Sequence, residues 1–202
     1  MVGIIEYGSG NINAIERALK FNSIPYMILR NPTKNVNLSH LILPGVGDFD
    51  ETIILLKNRG WFNWLNTAVL TLRVPILGIC VGMQIMFEKS EEGKELGFGW
   101  IKGSVTKISS QDSLPLPHMG WNSVKSNHQL MEGISKQDGF YFLHSFKGEP
   151  EISTNVIAES FYKEKLPVAV LNKNILGVQF HPEKSLSNGT KLFANFYNFF
   201  SQ

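Results

Sequence analysis

Ile76-Leu77-Gly78-Ile79-Cys80-Val81-Gly82 runs as an apolar strand into a cysteine bracketed by glycines, and Met83-Gln84-Ile85-Met86-Phe87 continues it as a helix. Flanking glycines remove the Cβ atoms that would collide in so sharp a strand-to-helix turn. The turn lifts the thiol of Cys80 out of the sheet into a crevice, the geometry of a nucleophile elbow. At the start of a helix, unpaired N–H groups and the macrodipole favour thiolate, the reactive form. The bland alternative is a buried cysteine that only packs. Its place between two glycines at a strand-helix junction favours the reactive reading.

The same strand-then-helix pattern recurs towards the N-terminus. Val2 to Tyr7 reads as a strand, and Gly8-Ser9-Gly10-Asn11 turns the chain into a segment with Ile12, Ile15 and Leu19 at helical spacing. Tyr26 to Leu29 and His40 to Leu43 are further strands, the second ending at Pro44-Gly45-Val46-Gly47. Trp61 to Leu72 reads as a helix that stops before Val74-Pro75. Beyond the elbow, Val105 to Ile108, Gly139 to His144, Val156 to Ser160, Val168 to Leu171 and Ile175 to Phe180 are strands with little helix between them. Leu171-Asn172-Lys173-Asn174-Ile175 is a hairpin signal, and Leu192, Phe193, Phe196, Phe199 and Phe200 share one face of a closing helix. The fold expected is α/β, with a mostly parallel central sheet flanked by helices and an additional antiparallel β region. Residues 1–202 are expected to form a single domain, with the loop near Ser109 to Pro117 as the weakest candidate boundary.

Hydrophobic residues make up 43% and charged residues 18% of the 202, a globular mixture remote from disorder. The formal net charge of +2 comes with no basic run, so no nucleic-acid or anionic-membrane footprint is present. Met1 to Tyr7 lacks a basic leader and reads as a buried strand, no apolar run approaches a membrane span, and the one cysteine has no internal disulfide partner. A cytoplasmic location is expected. With no paired Cys or His ligand spacing, neither a metal site nor a cofactor is expected.

A thiol nucleophile needs a base and a group to orient it, and Phe180-His181-Pro182-Glu183 supplies both. Pro182 disfavours helix at His181, and in an extended chain residues two apart project to the same side, so Glu183 reaches the His181 ring. A carboxylate on one ring nitrogen sets the tautomer and stabilises the imidazolium formed when the other takes the thiol proton. His40, His118, His128 and His144 have no such carboxylate beside them and read as packing residues. Acyl transfer also requires oxyanion donors: the Val81 N–H is the natural first, and Gly45-Val46-Gly47 is the candidate for the second, against the alternative of an ordinary structural turn.

At this point the chain resembles the class I, or triad, glutamine amidotransferases, and among them the glutaminase subunits of imidazole glycerol phosphate synthases. Gly78-Ile79-Cys80-Val81-Gly82-Met83-Gln84 is similar to the family's nucleophile motif, with Val81 where Leu is expected. Gly177-Val178-Gln179-Phe180-His181-Pro182-Glu183-Lys184-Ser185 is similar to its His-Glu motif. Tyr7-Gly8-Ser9-Gly10-Asn11, Leu43-Pro44-Gly45-Val46-Gly47, Pro117-His118-Met119-Gly120-Trp121-Asn122 and Tyr141-Phe142-Leu143-His144-Ser145 carry the narrower likeness. The resemblance implies hydrolysis of glutamine through a γ-glutamyl thioester on Cys80. It implies that Gln84 and Glu92, with the backbone of Ser145 and Phe146, hold the substrate's amino-acid end. It further implies delivery of ammonia to a (β/α)8-barrel cyclase in histidine biosynthesis, with Asn11, Trp121 and Lys184 near the subunit interface. Docking is expected to reorient the Gly45 to Gly47 loop and complete the oxyanion hole, leaving the isolated subunit nearly inactive.

Three other readings compete. A Cys-nucleophile α/β-hydrolase shares the elbow, but there the acid precedes the histidine by a long interval. A paralogue supplying ammonia to a surface-sugar-modifying synthase would carry the same motifs. A noncatalytic scaffold is disfavoured by the intact Cys80, His181 and Glu183.

Overall fold

Alternate residues of the short apolar strands enter two separate cores, one on each face of a central sheet. In Val2–Ile5 (β1), Val2 and Ile4 join one core and Ile5 the other; in His40–Leu43 (β3), Ile42 parts from Leu41 and Leu43 in the same way. Side chains alternate across a strand, so an apolar strand without polar positions must be covered on both faces. The computed structural model describes residues 1–33, 37–109 and 115–201. The expected boundary loop near Ser109 to Pro117 therefore falls largely outside the described residues.

Between β1 and β3 come Ile12–Phe21 (α1) and Tyr26–Leu29 (β2). After β3, Phe49–Asn58 (α2) and Trp61–Asn66 (α3) lead to Ile76–Ile79 (β4) and a single helical turn, Val81–Gln84 (α4). The second half holds Lys89–Ser90 (β5), Gly103–Lys107 (β6), His118–Asn122 (β7), Phe140–His144 (β8), Phe146–Pro150 (β9), Val156–Tyr162 (β10), Glu164–Asn172 (β11) and Ile175–Val178 (β12). Leu186–Phe199 (α5) closes the chain, its Leu192, Phe193 and Phe196 fully buried and Phe199 and Phe200 partly buried against the same core.

The main sheet has the order β10-β11-β12-β4-β3-β1-β2; β12, β4, β3, β1 and β2 pair in parallel, while β10-β11 and β11-β12 pair antiparallel. A three-stranded sheet, β5-β6-β9, and the hairpin-like pair β7-β8 complete the β structure. The fold is thus α/β with a mostly parallel central sheet and additional antiparallel β structure.

Several elements differ from the sequence reading. The first strand ends at Ile5 rather than Tyr7, since the side chain of buried Tyr7 turns to donate its hydroxyl to the Pro44 carbonyl at 2.9 Å. The helix expected over Met83 to Phe87 is the turn Val81–Gln84, displaced towards the cysteine. The helix from Trp61 to Leu72 widens into a π turn over Thr67–Thr71. Helix α2 was not assigned from sequence, although Asp48 caps it by accepting the Glu51 N–H at 3.0 Å.

The elbow is tight enough to exclude side chains. A Cβ on Gly78 would lie 2.5 Å from the Gly82 carbonyl oxygen, and one on Gly82 would strike the Leu43 carbonyl oxygen. Gly78→Ala should therefore lower unfolding free energy by about 1–3 kcal/mol, the usual cost of overpacking. Urea denaturation is the check, and an unchanged midpoint would mean that the elbow relaxes freely.

Candidate functional site

Four parallel strands deliver the site from the same sheet edge. Cys80 follows β4, Gln179 and His181 follow β12, the Pro44–Gly47 loop follows β3, and Tyr7 to Gly10 follow β1. Ligands of open α/β sheets bind beyond the carboxyl ends of the strands, and this is that end. The neighbouring strands β4 and β12 run in register, Gly78 opposite Gly177 and Ile79 opposite Val178, and the Cys80 N–H donates to the Val178 carbonyl at 2.8 Å.

Cys80 occupies the left-handed region at φ 56°, ψ −115°, an arrangement that costs a non-glycine residue about 1–3 kcal/mol and clusters at functional sites. Its side chain is nearly buried, 7% exposed. The helix behind it has only four residues, which corrects the expected macrodipole: little dipole accumulates over one turn, and the local effect comes from its first N–H groups. The Val81 N–H sits at the first position, where no carbonyl lies four residues back to receive it.

His181 Nδ1 lies 2.8 Å from Glu183 Oε1, and both side chains are 2% exposed. The route differs from expectation. His181 is extended, at φ −101° and ψ 91°, but Pro182–Lys184 forms a 3₁₀ turn, so Glu183 is carried back under the ring by a turn and not by an extended chain. Proline suits the first position of such a turn because its missing N–H had no partner there. The second Glu183 oxygen, Oε2, is buried without a hydrogen-bond partner among the described residues, so the carboxylate acts on the imidazole in a dry setting. Burial alone pushes the His181 imidazole down, but hydrogen bonds and charge from Cys80 and Glu183 outweigh it and raise it to about 10. Cys80 is thus electrostatically coupled to the His181 ring, the coupling that a thiol nucleophile and its base require.

The other histidines go the opposite way. Burial lowers His118 to about 4 and His144 to about 3. Their rings join: His144 Nδ1 donates to the Phe146 carbonyl at 2.8 Å, His118 Nδ1 to His144 Nε2 at 3.0 Å, and Asn122 Nδ2 to His118 Nε2 at 3.1 Å. His40 is lowered to about 4, again by burial, amid Phe196, Tyr197 and Phe200. A neutral ring in these places packs without a counter-charge.

Gly45 packs against the elbow, where a Cβ would lie 2.7 Å from the Gly82 nitrogen. The two peptides that meet at Val46 are already engaged: the Val46 N–H donates to Ser9 Oγ at 3.1 Å, and the Ser9 hydroxyl donates to the Val46 carbonyl. In this structure the Val46 N–H is therefore turned to Ser9, and Gly47 stands in open space at φ +130°. Ser9 was not singled out from sequence.

Gln84 is 5% exposed; its Nε2 donates to the Phe146 carbonyl at 3.2 Å and to Gln179 Oε1 at 3.0 Å. Gln179 Nε2 lies 3.7 Å from Cys80 Sγ. Gln179 was also missed, although the two-residue spacing that drew attention to Glu183 places Gln179 equally close to His181 on its other side. Glu92 Oε2 accepts the Phe49 N–H at 3.0 Å, capping α2 beside the Gly45 to Gly47 loop; burial raises its carboxyl, against the lowering pull of that N–H. The Ser145 carbonyl accepts the Ile108 N–H at 3.0 Å. Trp121 is half exposed and meets Tyr141 edge-on at 6.4 Å, while Lys184 Nζ stands 5.3 Å over the same ring. Asn11 caps α1 by accepting the Ala14 N–H at 3.3 Å, and α1 packs beside the Pro182–Lys184 turn.

A family model described as glutamine amidotransferase class-I matches residues 3–199. The chain belongs to the class I glutamine amidotransferases. It is 41% identical to the imidazole glycerol phosphate synthase subunit HisH of Leptospira borgpetersenii and 40% identical to that of Leptospira interrogans, in each case over 97% of this chain and 98% of the relative. A crystal structure of a glutamine amidotransferase superposes with a TM-score of 0.75 over 100% of this chain and 99% of its own, at 19% identity, a likeness of fold. In this amidotransferase, no described helix is long and apolar enough to cross a membrane.

The raised His181 has a consequence for stability. Its folded value near 10 exceeds the ordinary 6.5, so the stabilisation from its pairing is fully present below pH 6.5 and is lost as pH climbs through 10. Urea unfolding between pH 6 and 10 should show stability falling more steeply in the wild type than in Glu183→Gln. Equal slopes would contradict the pairing.

Proposed function

We infer that this chain is the glutaminase subunit of an imidazole glycerol phosphate synthase, and that Cys80, His181 and Glu183 are its catalytic residues. The observation that carries the chemistry is Cys80, strained at an elbow and coupled in charge to a buried imidazole that Glu183 holds at 2.8 Å. The identity to relatives named as that subunit, over nearly the whole of both chains, supports the pathway.

The Cys80 thiolate attacks the γ-carboxamide carbon of glutamine, forming the C–S bond while the carbonyl π pair moves to oxygen. The Val81 N–H receives the developing oxyanion, with a second donor from the Gly45 to Gly47 loop. His181 gives its proton to the departing nitrogen, the C–N bond breaks, and ammonia leaves a γ-glutamyl thioester on Cys80. Water then attacks the thioester as His181 takes its proton; glutamate departs and the thiolate is restored. Glu183 holds the ring and balances its charge throughout. Gln84 and Glu92, with the backbone of Ser145 and Phe146, hold the amino-acid end of the substrate. Ammonia passes to a cyclase subunit with a (β/α)8 barrel, docked on the face that carries Asn11, Trp121 and Lys184, in the cytoplasm.

The test is glutamate release from glutamine by the purified chain, alone and with a histidine-pathway cyclase plus its ribotide ligand. Activity should rise strongly with the partner and fall at least about a thousandfold in Cys80→Ala, as when a nucleophile of a concerted triad is removed. Release that ignores the cyclase would assign the chain to a different synthase.

The Ser9 contact bears on the resting rate. If the Val46 peptide must leave Ser9 to serve the oxyanion, Ser9→Ala should raise glutaminase activity of the chain without its partner severalfold, on the scale of about 1 kcal/mol for one hydrogen bond. Unchanged partner-free activity would show that Ser9 does not restrain the loop.

A further inference from the structure

Gln179 lies beside the nucleophile, is completely buried, and has no role in the chemistry above. Its orientation is dictated from outside the catalytic trio. The Phe146 carbonyl is an acceptor only, and two donors converge on it, His144 Nδ1 at 2.8 Å and Gln84 Nε2 at 3.2 Å. Gln84 must therefore turn its NH₂ group towards Phe146, since the reverse orientation would set oxygen against oxygen. The same NH₂ group reaches Gln179 Oε1 at 3.0 Å, which leaves Gln179 Nε2 as the atom facing Cys80 Sγ at 3.7 Å. The chain of constraint ends in an N–H donor aimed at sulfur. A thiolate is a full acceptor for such a donor, whereas a thiol is a weak one, so the contact favours the charged form. In the neutral state the thiol has a carbonyl nearby to receive its own proton, that of Leu143 at 3.8 Å.

We propose that Gln179 is a further catalytic residue, whose carboxamide donates a hydrogen bond to the Cys80 sulfur and stabilises it as the attacking and departing thiolate. No proton crosses this contact: the thiol proton goes to His181, and Gln179 keeps its own. The donor acts twice, once before attack on the carboxamide and again when the thioester C–S bond breaks and the electron pair returns to sulfur. Gln84 is what points it, so Gln84 serves the nucleophile as well as the substrate. This inference rests on the glutaminase reading for the second of those steps, but the contact with the sulfur stands on geometry alone.

Cys80 is the single cysteine of the chain, so alkylation by iodoacetamide reports on it specifically. The experiment compares alkylation rates of the full-length wild type, Gln179→Met and Gln179→Glu from pH 6 to 9, alongside melting by circular dichroism. Gln179→Met keeps the length and removes the donor. It should slow alkylation at pH 7 about ten- to a hundredfold, the worth of a hydrogen bond to a charged group, with the deficit narrowing as pH rises. Glutaminase kcat of the assembled complex should fall in parallel while KM stays near wild type, because Gln179 faces sulfur and not glutamine. Gln179→Glu, nearly isosteric, should slow alkylation further by setting negative charge beside the thiolate. A folded Gln179→Met that is alkylated at the wild-type rate across the range would overturn the proposal. Should that variant fail to fold, wild-type alkylation of Gln179→Glu would overturn it equally. A wild type that lacks glutaminase activity with every synthase would sink the proposed function, yet the alkylation comparison would still decide the role of Gln179.

Discussion

The parallel pairing of β4 with β12 is the constraint on which the site depends. In the proposed chemistry neither Cys80 nor the His181–Glu183 pair acts alone, and they lie about a hundred residues apart in the chain. Register between these two strands, closed by the Cys80 N–H on the Val178 carbonyl at 2.8 Å, brings both strand ends to one point. That closure also sets the shape of the turn that follows. Once the cysteine backbone is tied to β12, the chain must reverse at once into α4, and it does so through a left-handed residue that is not glycine. The strain is held because Gly78, Gly82 and Gly45 interlock with backbone from β3 and the elbow, leaving no room for a relaxed alternative.

All five histidines are shifted from their ordinary value, and the physics is a contest between two effects. Burial in a poorly polarisable interior disfavours the imidazolium, and for His40, His118 and His144 nothing large opposes it. His181 is as deeply buried, yet it faces a carboxylate at 2.8 Å and a thiol on the opposite side, and attraction in the same dry setting exceeds the desolvation cost. The low dielectric that favours the neutral form of those rings also strengthens the pairing of His181 with Glu183. The neutral His118–His144 chain offers donors and acceptors in a fixed order without adding charge.

In the proposed chemistry the oxyanion side is less complete than the nucleophile side. The Val81 N–H lies at the start of α4, but the Val46 N–H expected to supply a second donor is bonded to Ser9, whose hydroxyl also holds the carbonyl of the following peptide. Under the proposed function, one rearrangement at Val46 separates this site from its second oxyanion donor.

Much of this was legible in the sequence. The glycines around Cys80 can be explained only by close backbone approach, and the apolar strand before them has no polar face to expose, so an elbow on a doubly covered parallel sheet follows from residue types alone. His181 and Glu183 are neighbours in the chain, so their pairing was accessible too, even though a 3₁₀ turn and not an extended chain brings them together. Helix α2 was accessible as well, since Asp48 and the buried Phe49, Ile53 and Leu56 are local signals that went unassigned. Strands β7 and β9 were harder, because their partners β8 and β6 supply the pattern that makes them strands. What only the tertiary structure decided is the company each side chain keeps. That Ser9 clasps Val46, that Glu92 caps α2, and that an acceptor carbonyl at Phe146 orients Gln84 and through it Gln179 are contacts between residues dozens of positions apart. Local preference and periodicity act over a few residues, whereas hydrogen-bond partners across a sheet edge are set by strand order, and strand order is a property of the whole packed chain.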